Sequence, residues 1–130
     1  NISSVEDIDY TRHQIHHELM HWFDTKIDNG IELWPENITS YNLTYNLASL
    51  DNYVEHPSEG FVTGYAKTNS LEDRAEVYSY LFTKEGNSKL NEWIKTDKKL
   101  ENKVNYIKNL IKGRVSKMDD NYFNQKVLNN

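Results

Sequence analysis

The sequence predicts a mainly α-helical domain with little or no β-sheet, and three observations carry that reading. Apolar residues recur at helical spacings over residues 7–27, 71–83 and 98–112. Start and stop signals bracket the later segments, with Ser70 ahead of one and Gly113 behind the other. The chain has 130 residues, 37% of them hydrophobic and 12% aromatic, which is enough for one thin core and too little for two.

The first helix is expected over residues 7–27, where Ile8, Ile15, Leu19, Trp22 and Phe23 recur without an intervening Gly or Pro. Its apolar arc is wide, so the helix is expected to be largely buried, with Trp22, Phe23 and Trp34 in the core. Residues 28–64 lose periodicity and collect Asn29-Gly30, Pro35, His56-Pro57 and Gly60, the marks of a long connection. One short helix is expected within it, over residues 41–53.

The second long helix is expected over residues 71–83. Ser70 and Asp73 fit an S-x-x-D capping box, and Leu71, Ala75, Tyr78 and Phe82 line one face. Gly86 is read as its end, and Asn87-Ser88 as the start of a short helix through Trp93 and Ile94. Over residues 98–112, Leu100, Val104, Ile107 and Ile111 form an apolar stripe, with Gly113 as the stop. Lys99, Lys103 and Lys108 are read as its solvated face.

Composition excludes several classes. There is no cysteine, so a disulfide scaffold, a thiolate zinc site and a thiol nucleophile are ruled out, and any metal must be held by His, Asp or Glu. A net charge of −5 argues against nucleic acid as a partner. Residues 1–80 hold fourteen acids and four bases, and residues 81–130 hold six acids and eleven bases, so the histidines lie in the acidic part. No stretch approaches the roughly 18 apolar residues of a membrane span. The chain starts at Asn1 rather than methionine, and it is expected to be a single domain forming the C-terminal part of a longer chain.

Chemistry concentrates at His17-Glu18-Leu19-Met20-His21, an H-E-x-x-H inside the first helix. A spacing of four puts both imidazoles on one face, where they can chelate zinc, while Glu18 projects beside them and can take a proton from water. Random order of this composition yields the pattern in roughly one to two sequences per hundred. A third ligand must come from a carboxylate on a rigid element facing this helix. Glu72 and Glu76, four apart on the second long helix beside Ala75 and Ser79, are the candidates. Glu72 is expected to be the ligand, with Glu76 holding the free ring nitrogen of a zinc-binding histidine. His13 and His16 make the same helix rich in histidine, which leaves packed or surface histidines as the bland alternative.

These residues resemble the gluzincin zinc metallopeptidases, and more closely the peptidase domain of anthrax lethal factor and its relatives. His17 to Asp24 looks like that group's H-E-x-x-H-x-x-D, with Asp24 at its acidic position near the metal. Glu72-Asp73-Arg74-Ala75-Glu76 is similar to its E-x-x-A-E. Tyr65, seven residues before Glu72, falls where the family places a tyrosine facing the metal. The likeness spans His13 to Phe82 and implies a zincin-like fold, a peptide or protein substrate, a phenol at Tyr65 assisting Glu18, and a secreted or surface location in bacteria. Such enzymes carry a β-sheet ahead of the H-E-x-x-H helix, and only sixteen residues precede His17, so either the sheet belongs to an upstream segment or this member does without it.

The function expected is zinc-dependent hydrolysis of peptide bonds. Its rivals are a non-catalytic interaction module that keeps zinc on a peptidase scaffold, and a helical adaptor that holds no metal.

Overall fold

The computed structural model describes residues 5–26, 34–39, 45 and 53–129. Among them the chain is mainly helical and forms no named strand. α1 (Val5–Lys26) is followed by a short α2 (Glu36–Thr39) and a 3₁₀ turn (Tyr65–Lys67). Then come α3 (Ser70–Phe82), α4 (Lys84–Trp93), α5 (Lys98–Arg114) and α6 (Asp120–Tyr122), which runs into a π-helical turn over Phe123–Val127. None of the described helices is long and apolar enough to cross a membrane. The short helix expected over residues 41–53 lies outside the described residues, Tyr45 and Tyr53 apart.

α3 is the central element, packed against α1 on one side and against α4, α5 and the C-terminal turn on others. Val77 and Leu81 of α3 meet Leu90, Leu100, Val104 and Ile107 in one buried cluster. The segment before α3 folds back on itself through a single β-type pairing of Glu55 with Thr63, the bonds running from His56 N to Val62 O at 2.8 Å and from Gly64 N to Val54 O at 2.9 Å. Asp97 secures this segment to α5. Its carboxylate caps the helix by accepting from Leu100 N, and it also takes the Gly60 N–H and pairs with His56 Nε2, each at 2.8 Å.

Three helix boundaries differ from expectation. α3 is capped by Asn69, whose side chain accepts from Glu72 N, and Asp73 is buried rather than part of a capping box. Gly86 lies inside α4, where a Cβ would overlap Thr83 Oγ1 and come within 2.7 Å of Tyr80 O, so glycine permits the close approach of α4 to the end of α3. Gly113 does not stop α5, which continues through Arg114.

Lys103 is wholly buried, not solvated. Its ammonium donates to Asp73 Oδ2 at 2.7 Å and to Gly60 O at 2.6 Å, and it lies 4.0 Å from the centre of the Phe61 ring. Position 103 shares a face with Leu100 and Ile107, and that face turns inward.

α1 departs most from expectation. Ile8, Ile15, Leu19 and Trp22 are 40%, 54%, 44% and 56% exposed, so Trp22 is not a core residue; Trp34 is buried and Phe23 packs at the edge of the core. The buried side of α1 carries His17, Met20 and Asp24 instead. That side meets α3 mainly through polar groups.

Candidate metal centre

α1 and α3 cross the site in opposite directions: His13 meets Ser79 and Glu76, His17 meets Glu76 and Glu72, and His21 meets Glu72. Helical spacing thus brings two imidazoles of α1 and two carboxylates of α3 together from positions more than fifty residues apart.

Glu76 fixes the chemistry of His17. Its Oε1 accepts from the Thr63 hydroxyl at 2.8 Å, and its Oε2 lies 2.8 Å from His13 Nε2 and 3.1 Å from His17 Nδ1. Burial alone would raise this carboxyl's pKa. The hydrogen bonds from His13 and His17, the charge of His13 and the Thr63 hydroxyl outweigh burial and hold it down at about 2. An ionised carboxylate only accepts, so Nδ1 of His17 carries the hydrogen and, in the neutral ring, Nε2 presents a lone pair. On His17 the balance is the converse: burial pushes its pKa down, and the bond and charge of Glu76, with the charges of Glu72 and Glu18, raise it overall.

Nε2 of His17 is 2.9 Å from Glu72 Oε2 and 3.0 Å from His21 Nε2, and those two atoms are 3.1 Å apart. A single proton cannot lie between all three pairs of atoms. A cation about 2.0–2.1 Å from each fits over such a triangle, and two imidazole nitrogens with one carboxylate oxygen are a donor set suited to zinc. The residues present therefore fit the metal. Nδ1 of His21 is buried and has no hydrogen-bond partner among the described residues, so a carboxylate orients one of the two imidazoles and not the other.

Of the other predicted residues, Glu18 is exposed at the cluster, with donor atoms of His17, Glu18 and His21 lying within 4.8 Å of one another. Tyr65, on the 3₁₀ turn, has its ring centre 5.8 Å from that of His17. Burial, then the charge and hydrogen bond of Glu72, raise the phenol's pKa and keep it a donor. Both residues line a cavity of about 430 Å³ that runs past His13 and Glu76 toward Tyr80 and Lys89. Asp24 is placed differently: it accepts two hydrogen bonds from Arg74, at 3.0 Å from Nε and 2.8 Å from Nη2, with both side chains fully buried.

Sequence reasoning did not single out Thr63, Arg74 or the part played by His13. His13 was within reach, since 13, 17 and 21 form one series with a spacing of four. Thr63 and Arg74 have no local signal, because each acts on a residue that only the folded chain brings near.

A protein-family model described as "Putative zinc-binding metallo-peptidase" matches residues 1–126. No curated protein and no solved structure matches the chain.

Proposed function

The chain belongs to this zinc-binding metallopeptidase family, and on that premise we propose that it is an endopeptidase whose zinc is held by His17, His21 and Glu72. When bound there, zinc supplies Lewis acidity toward a carbonyl oxygen and lowers the pKa of a water molecule. The remaining work falls to the chain's own side chains. Glu18 takes the proton of the attacking water and returns it to the leaving amine. The Tyr65 phenol donates a hydrogen bond to the oxygen on which negative charge develops. Glu76 keeps the His17 ring in one tautomer and orientation.

The observation that carries this reading is the convergence of two imidazole nitrogens and a carboxylate oxygen, separated by 2.9, 3.0 and 3.1 Å, beside an exposed glutamate that lines a cavity. Glu18 has no place in a purely structural metal site. We propose on the same grounds a kinship with lethal factor peptidase domains, with an extracellular location and an upstream sheet, supported by Tyr65 beside His17 and by the E-x-x-A-E run of α3. So is the reading of residues 1–130 as one domain.

The test is Glu18→Gln, which keeps size and removes the base. Zinc content should stay at the parent level while peptide turnover falls by about 100-fold or more. Equal turnover in the two proteins would remove Glu18 from the mechanism.

The interaction-module reading has one observation in its favour. Among the described residues the only β-type pairing joins Glu55 and Thr63, which leaves little main-chain edge for an extended peptide. Under that reading the zinc-loaded chain turns over no peptide.

A further inference from the structure

Asp24 and Arg74 lie on the two helices that carry the metal donors, three residues after His21 and two after Glu72. They form a two-pronged pair with bonds of 3.0 and 2.8 Å, fully shielded from solvent. The guanidinium carbon sits 5.4 Å from the ring centres of both Trp34 and Tyr106.

We propose that this pair is a positioning lock for the metal centre. It fixes the height and rotation of α1 against α3, so that the donor atoms converge before the metal arrives. The proposal rests on reading His17, His21 and Glu72 as the ligands. Three observations support it.

First, the buried side of α1 is poor in apolar anchors. Met20 is the large apolar residue between His17 and Asp24 on that side, and apolar contact alone lets helices slide. A planar guanidinium engaging both carboxylate oxygens sets distance and rotation together.

Second, the tolerance is tight. A shift of one residue along a helix is about 1.5 Å, whereas a working site must be held within about 0.5 Å.

Third, stability is a poor explanation for the pair. Desolvating two charges offsets most of their attraction, and buried pairs are often replaced by apolar residues of similar volume without loss of stability.

The test is the double variant Asp24→Leu/Arg74→Met, compared with the parent in zinc affinity, in the visible spectrum of the cobalt-loaded protein and in the melting temperature of the zinc-free protein. The lock predicts a melting temperature near the parent's, zinc affinity lower by at least tenfold, and a cobalt spectrum broadened by a heterogeneous donor set. Parent affinity with a parent cobalt spectrum would overturn it.

Arg74→Lys serves as the second variant, and it carries the test if the double variant does not fold. It keeps the charge and loses the two-pronged geometry, so it too must bind zinc more weakly, and parent affinity would overturn the lock. Glu72→Ala separates the two readings: if that variant binds zinc as the parent does, the ligand assignment fails, whereas if it loses zinc and the Asp24/Arg74 variants do not, the lock alone fails.

Discussion

Nδ1 of His17 donates to Oε2 of Glu76 across 3.1 Å, and this bond decides which nitrogen of the ring faces Glu72 and His21. It joins residues fifty-nine positions apart, within a carboxylate cage completed by His13 and Thr63. Orientation and basicity of a ligating imidazole are both set by such a partner.

Replacing that partner should weaken the site without abolishing it. Glu76→Gln is expected to lower zinc affinity about 10–100-fold, less than the loss from Glu72→Ala. Competition against a chromophoric chelator measures both. Parent affinity in Glu76→Gln would mean that the ring is held some other way.

The same carboxyl should govern acid stability of the zinc-free protein. Its pKa is about 2 in the fold against an ordinary 4.5, so its contribution is present above about 4.5 and is lost as pH falls toward 2. A shift of that size corresponds to about 3 kcal/mol. Urea unfolding between pH 5 and pH 2.5 should show stability falling with acid in the parent and a flatter dependence in Glu76→Gln. Parallel curves would contradict this account.

Lys103→Met should be among the most destabilising changes in the chain at neutral pH, by about 3–5 kcal/mol, because it leaves Asp73 ionised and buried without its cation. Burial already raises the pKa of Asp73. The loss should therefore shrink in mildly acidic solution, where that carboxyl takes up a proton. Thermal melts at pH 7 and pH 5 check the direction, and a loss independent of pH would show that packing dominates.

Gly86→Ala tests the close approach of α4 to α3. A methyl there meets Tyr80 O within 2.7 Å, so the variant should lose about 1–3 kcal/mol despite the better helix propensity of alanine. A melting temperature at or above the parent's would show that α4 can shift to make room.

The side-chain cluster was legible because its parts are local: a spacing of four on one helix, and two glutamates four apart on another. Helix positions followed from periodicity for the same reason. The inner face of α1 was misread because periodicity assigns the core to the apolar side, and here His17 and Asp24 turn inward while Ile15, Leu19 and Trp22 stay exposed. Polar residues took the inner face because their partners, Glu72, Glu76 and Arg74, come from α3. Lys103 was misread likewise, since its partner Asp73 lies thirty positions away. Pattern identifies which side chains share a face, but long-range pairing decides which charged groups can be buried.

The most direct test of the metal centre is zinc content per chain after exhaustive dialysis, measured on the parent and on Glu72→Ala. One zinc per chain is expected in the parent and a marked loss in the variant, because the third donor comes from α3 and the two histidines alone hold the metal weakly. A metal-free parent, or a variant that keeps its zinc, would contradict it.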